Sequence, residues 1–477
     1  MIRFTYAAWA VVPLVLVACG TTPEASSTTT DGGSHSDATD AAAYSYPAPD
    51  AGAITAFSLA PLTLVPPFSP TTFDYYVRCP AAQNPVTLTT TDALGSHSSS
   101  LVLVPDQALV VGGTYSVRCL PADFPTITVV THADAGAPTS GYYLLNSSTY
   151  GMVLDTNGTP IWYTRGTTVV NVDSPEPNVI TVSPNNSGFD VHALATLTTT
   201  SVTAVGSPTD PHDLRLLPNG DWLLFTNTIL ADVDLTGLAS FGSGQSLADC
   251  MVQELDAQEN VVWSWTASDH VDPVQESLEP VYANFEGVTV VDAFHCNSID
   301  VDGEGNLLLS LRHTNAVFYV DRASGEIEWK LGGTAYNKDG AAHIAVTSDP
   351  EGTFSLQHDA RFTATGGVTL FDDHGATAGV ARGVEYAIDQ EAGTASVVWE
   401  FLGPSQSGAQ GSFRRYPDGH SVIGWGALQG DRRVLTEVDG SGNDVLDVSL
   451  SGQVSYRAIK VPLTQLDIGL LRLTAAR

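Results

Sequence analysis

The chain has 477 residues, 43% of them hydrophobic, which allows a large core with a smaller one beside it. Nineteen Lys and Arg (19) stand against 52 Asp and Glu, a formal net charge of -33. Such a field repels nucleic acid and anionic lipid headgroups, and an anionic substrate needs a locally basic pocket.

The chain starts "MIRFTYAAWAVVPLVLVACG", an early Arg, an apolar stretch too short for a stable span, and then Leu16-Val17-Ala18-Cys19. This resembles a bacterial lipoprotein signal over residues 1–18, with Cys19 the acylated mature N-terminus. Gly20 follows where an Asp would signal inner-membrane retention, so the expected location is the cell envelope at the outer membrane, on its periplasmic or surface side. Membrane contact is expected through the lipid anchor alone. Residues 19–52 are rich in Ser, Thr, Ala, Asp and Gly without apolar periodicity, and read as a disordered tether.

Residues 53–130 carry short alternating runs, "TFDYYVRC", "PVTLTTT", "SLVLVP", "TYSVRC" and "TITVVT", separated by Pro, Gly and Asn. They predict a small β-sandwich, similar to the cadherin-like modules that precede some bacterial enzymes. Cys79 and Cys119 end two like strands in an exported chain and are expected to form a disulfide. Cys250 and Cys296 are left as a possible second pair.

From 131 to 477 the pattern repeats. Turns of the type Asp-x-x-Gly precede a tryptophan in "VLDTNGTPIWY", "ELDAQENVVWSW", "YVDRASGEIEWKLGG" and "AIDQEAGTASVVWEF". An all-strand period of about 50 to 70 residues predicts an all-β fold, a six-bladed β-propeller following the small sandwich. Trp162, Trp263, Trp329 and Trp399 are expected to pack the blades.

A second repeat lies in the first hairpins. Eight residues before the turn glycines of "HDLRLLPNG", "HCNSIDVDG", "HDARFTATG" and "GSFRRYPDG" stand His212, His295, His358 and Gly411. At the far end of the returning strands stand Asn227, Arg312, Asp373 and Gly426. Inner strands border one axial channel, so three distant histidines are expected to face one another there. His313, beside Arg312, is expected on the opposite side of its strand; Asp213 and Asp359 are expected as turn or orienting groups.

Three histidines invite a zinc reading, but Arg312 sets a fixed cation beside such a metal, and no metal is expected. "DVDGEGN" has Leu311 where a calcium loop requires a bidentate Glu, and reads as a β-turn. There is no G-x-S-x-G elbow and no Walker-type loop, which removes nucleotide-dependent transferases that rely on one. An arginine fork with imidazoles and a carboxamide suits a tetrahedral oxyanion.

These motifs, "PHDLRLLPNGDWLLFTN", "FHCNSIDVDGEGNLLLSLRHTNAVFYVDRASGEIEWKLGG", "LQHDARF" and "SGAQGSFRRYPDGHSVIGWG", resemble in order those of the bacterial arylsulfate sulfotransferases, over roughly residues 140 to 460. The HxNS, SxR and W-x-LGG block is the most specific part. The resemblance implies a six-bladed propeller of the cell envelope that transfers a sulfuryl group from an aryl sulfate to a phenolic acceptor, ping-pong, without a nucleotide donor or other cofactor. It implies His358 as the nucleophile that becomes sulfohistidine. His212, His295 and Arg312 are then the other catalytic residues, and Asn297 binds substrate. Two other readings stand beside it: a tethered propeller that binds a partner or carbohydrate without catalysis, and a quinoprotein-like dehydrogenase.

Overall fold

The computed structural model describes residues 54–474 except Glu286. The signal-like segment, Cys19 and the tether lie outside the described residues. Gly52–Arg477 is one compact unit. It is all-β but for short helical turns and a C-terminal helix, Ile468–Thr474. Among the described residues no helix is long and apolar enough to cross a membrane.

The first part forms two three-stranded sheets. In one, Asn84–Asp92 lies between Ala56–Ala60 and Gly95–Leu103. In the other, Tyr115–Pro121 lies between Asp74–Cys79 and Ala108–Val111. Their alternating residues enclose a core of Phe57, Tyr75, Val77, Val86 and Tyr115. Asp74–Cys79 and Tyr115–Pro121 are parallel neighbours with Val77 opposite Cys119. That register lets Cys79 reach Cys119, and the expected disulfide is present. A second bridge joins Cys250 to Cys296.

"TITVVT" behaves differently from its companions. Its strand, Ile127–Thr131, pairs with Asp444–Leu450 near the other end of the chain. The apolar alternation marks it as a strand, but nothing local specifies a partner so distant in sequence.

The rest folds as successive four-stranded antiparallel meanders. Examples are Thr209–Leu216, Trp222–Val233, Gln245–Leu255 and Val261–Thr266; then Cys296–Val301, Leu307–Leu311, Ala316–Val320 and Ile327–Gly332. His358–Phe362 and Ser412–Arg415 begin two more. The late strand Ala458–Val461 pairs with Tyr142–Asn146, so early and late chain close one sheet.

The Asp-x-x-Gly turns are aspartate-capped. Asp302 Oδ1 accepts from the main-chain N–H groups of Glu304 at 2.8 Å and Asn306 at 2.9 Å, which makes "DVDGEGN" a turn. The tryptophans pack between meanders. The Trp399 ring stacks on Phe413 at 5.2 Å, and Trp263 Nε1 donates to Arg322 O at 3.1 Å.

Below the site lies a buried ionic layer. Asp213 pairs with Arg361 at 2.8 Å and Arg457 at 2.9 Å, while Asp359 pairs with Arg361, Arg414 and Arg457. Burial alone would raise the Asp213 carboxyl; Arg361 and Arg457 override it and hold that group well below the usual carboxylate range. Both aspartates therefore bind adjacent first strands together.

Candidate active site

The strands of His212 and His358 are irregular at the histidine itself, and that of His295 just after it. The pairing register slips between Asp210 and Leu214, between Cys296 and Ser298, and between His358 and Arg361. A bulge releases a residue from strand alternation and re-aims its side chain. His295 has φ 52, an uncommon conformation for a non-glycine residue that turns it out of the ladder. These first strands pack side by side, which converts equivalent positions in the chain into neighbours.

The structure brings His212, His295, His358 and Arg312 together. The His212 and His295 rings meet edge to face with centroids 5.0 Å apart. Tyr456, on the segment leading into the closing strand, lies against both His212 at 5.4 Å and His358 at 6.3 Å. Its hydroxyl donates to Asn297 O at 3.2 Å.

An aspartate stands behind every one of these rings. His212 Nδ1 lies 2.5 Å from Asp210 Oδ1, His295 Nδ1 is 2.7 Å from Asp292 Oδ2, and His358 Nδ1 is 3.0 Å from Asp373 Oδ2. His212 and His295 hydrogen-bond to their carboxylates through Nδ1, whereas His358 Nδ1 only lies near Asp373 without a hydrogen bond, so each Nε2 is left for other contacts. Asn227 steadies Asp210 by donating to its Oδ2 at 2.9 Å.

The electrostatics separate the three. Burial would lower His212, but Asp210 outweighs it and the net shift is upward, favouring imidazolium. His295 goes down, because burial exceeds the pull of Asp292. His358 is held well below the ordinary histidine value, by burial first and then by Arg312 and the other histidines. Asp373 is pushed well up by burial, against Arg312. His358 is therefore neutral. Its Nε2 accepts from the Gln410 main-chain N–H at 3.2 Å, which puts the ring hydrogen on Nδ1, facing Asp373.

Arg312 spreads its fork across the site. Nη1 donates to His313 Nε2 at 3.0 Å and Nη2 to Gly408 O at 3.2 Å, while Nε is 3.9 Å from Asp373. Asp373 thus stands between Arg312 and His358.

His313 is not on the far side of a strand. The strand ends at Leu311, and Arg312–Thr314 is a turn, so alternation no longer applies. The ring lies against His295 at 4.8 Å and donates from Nδ1 to Asp292 O at 2.8 Å, which fixes Nε2 as the acceptor for Arg312. Asp292, His295 and His313 are close enough to hold a metal ion, but the Nδ1 atoms are already donors to Asp292.

Asn297 is fully buried beside the site, and its Nδ2 donates to Gln357 O at 2.7 Å. That bond fixes the peptide just before His358. Its Oδ1 has no hydrogen-bond partner.

In the fourth repeat the glycines admit main chain in place of a side chain. A Cβ on Gly426 (φ +57) would lie 2.6 Å from the Gln410 carbonyl carbon, so only glycine lets that backbone approach His358.

Sequence reasoning did not find Asp210, Asp292, Gln410 or Tyr456. The acids precede their histidines in "TDPHD" and "VDAFH", a signal available in retrospect. Gln410 acts through its backbone and Tyr456 belongs to no histidine repeat, so neither leaves a readable mark.

Imidazoles of graded basicity beside a guanidinium fork suit a tetrahedral, negatively charged group. The family model described as Arylsulfotransferase (ASST) matches residues 127–457, more than half of the sequence, beginning at the strand that pairs with Asp444–Leu450. The chain belongs to the arylsulfotransferase family, and it is an enzyme that transfers sulfur-containing groups from an aryl-sulfate-type substrate.

No curated protein matches the chain. Among solved structures, a protein of unknown function from Bacteroides caccae is similar at 11% identity and TM-score 0.43, covering 68% of this chain and 99% of that one. A catalytically inactive virginiamycin B lyase from Staphylococcus aureus, with quinupristin, is similar at 8% and 0.35, covering 68% and 88%.

Proposed function

We propose that the meanders are the blades of a six-bladed propeller following a small β-sandwich, and that the enzyme works by ping-pong sulfuryl transfer through His358. The observation that carries this reading is the neutral, Asp373-backed His358 with Arg312 beside it.

In the first half-reaction the Gln410 N–H moves from His358 Nε2 to a sulfuryl oxygen, and the freed Nε2 lone pair attacks sulfur. An S–N bond forms, the S–O(aryl) bond breaks, and the departing phenolate takes a proton from His212. In the second half the acceptor phenol returns a proton to the now neutral His212 as its oxygen attacks sulfur and the S–N bond breaks. Arg312, the remaining Asn297 amide hydrogen and the Gln410 N–H supply positive character for the sulfuryl oxygens. Sulfuryl transfer resembles phosphoryl transfer in asking for positioning and charge stabilisation. For placement, we propose acylation at Cys19 and attachment through residues 20–52 to the outer membrane; this rests on the signal-like start alone.

The test uses 4-nitrophenyl sulfate and phenol. Nitrophenol should appear in step with phenyl sulfate, and double-reciprocal plots at several phenol concentrations should be parallel. No nitrophenol, or intersecting lines, contradicts the reading. The pH profile adds a second check. Activity requires His358 neutral and His212 protonated, so the acid limb lies below the usual histidine value of about 6.5 and the alkaline limb above it. The same raised His212 stabilises the fold fully below pH about 6.5, and that contribution disappears as pH climbs through its folded value. Asp210→Asn should draw the alkaline limb downward by about one pH unit or more.

A further inference from the structure

A cluster of metal-ligating side chains outside the histidine site lies where Ile127–Thr131 joins the strand Asp444–Leu450. His132 follows the first of these strands, and its main-chain N–H donates to Val445 O at 3.1 Å. That bond continues the ladder and sets His132 diagonal to Asp447, within reach of a long side chain. His132 Nε2 lies 3.2 Å from Asp447 Oδ2 and 3.6 Å from Asp444 Oδ1. The three ligand atoms all stand within 4.8 Å of one another.

The carboxylates are oriented from behind. Trp425 Nε1 can only donate, and it does so to Thr436 Oγ1 at 2.8 Å. The Thr436 hydroxyl therefore gives its own hydrogen to Asp447 Oδ1, at 2.5 Å. Trp425 and Thr436 are fully buried, so this relay holds Asp447 with Oδ2 turned to His132. Arg433 Nη1 faces the outer oxygens, 3.6 Å from Asp447 Oδ1 and 4.0 Å from Asp444 Oδ2. The inner oxygens are left to His132, and Asp444 Oδ1, shut off from water, has no hydrogen-bond partner.

Charge and spacing describe the occupant. Arg433 also pairs with Asp431 at 2.9 Å, so three carboxylates share one guanidinium and a divalent cation balances what remains. Burial, then Asp447, push the Asp444 carboxyl up to about 6 against the pull of His132 and Arg433. Tetrahedral zinc, with bonds of about 2.0 to 2.1 Å, sets its ligand atoms about 3.3 Å apart. The two separations at His132 bracket that value. Calcium and magnesium prefer oxygen throughout, whereas an imidazole in the set suits zinc. The His132 side chain is 40% exposed, so water reaches a fourth position.

We propose that His132, Asp444 and Asp447 form a zinc-binding clasp that pins Ile127–Thr131 to the closing sheet. The ion takes the place of the His132 Nε2 hydrogen, which leaves to solvent as a proton. It then bridges positions 315 residues apart, and the binding energy adds to the stability of that closure.

The experiment strips the whole protein with EDTA and titrates it with zinc alone, following binding by calorimetry and the melting temperature. One equivalent should bind and raise Tm by about 3 °C or more. Calcium or magnesium at the same concentration should leave Tm unmoved. Cobalt(II) should bind in zinc's place with the strong visible absorption of a tetrahedral site. His132→Gln and Asp444→Asn should each weaken zinc binding about tenfold or more and abolish the Tm shift. The shift is read within each variant, before and after zinc, so a change in its baseline stability cancels. Zinc held as tightly by both variants as by the parent places the ion elsewhere and overturns the clasp. Absence of zinc uptake by the parent protein overturns it as well.

Discussion

His358→Asn should lose turnover of 4-nitrophenyl sulfate by on the order of 10⁴-fold or more, with the fold retained. Asparagine keeps the approximate volume and a polar end but offers no nucleophilic nitrogen. The site around it is held independently: Asn297 fixes the preceding peptide, and Asp373 is anchored where the next strand ends. Circular dichroism should be unchanged, and residual activity should show no second, acceptor-dependent phase. Near-native turnover in this variant would remove His358 from the covalent step.

Arg312→Ala should lower kcat by about 10²- to 10³-fold, because the guanidinium is the cation nearest the His358–Asp373 pair and sees sulfuryl charge as it redistributes. Arg312→Lys should recover little. Lysine restores a point charge but cannot reach His313 Nε2 and Gly408 O with two arms of one plane. Removing Arg312 also takes a cation away from His358, so the acid limb of the pH profile should move upward. A purely structural arginine would change the melting temperature without moving that limb.

Much of the site was legible because the hairpins share one turn. Counting from the turn glycines places His212, His295, His358 and Arg312 in register, and the bulges preserve that equivalence. The same counting misjudged His313, since strand alternation was carried one residue past the point where the chain turns. Pairing partners were less readable than strands. "TITVVT" looks like its neighbours in composition, yet its hydrogen bonds go to Asp444–Leu450, a choice made by tertiary packing. The glycines of the fourth repeat were visible as exceptions; only the geometry of Gln410 explains them, because a main-chain N–H has no sequence signature.

The most direct measurement is to mix the enzyme with an aryl sulfate in the absence of acceptor, quench it under mildly alkaline conditions, digest it, and weigh the peptides. The peptide containing His358 should carry one sulfuryl group, lost on adding phenol before the quench. A sulfuryl group found on another peptide, or an unmodified His358 peptide throughout steady turnover, would contradict a covalent histidine route.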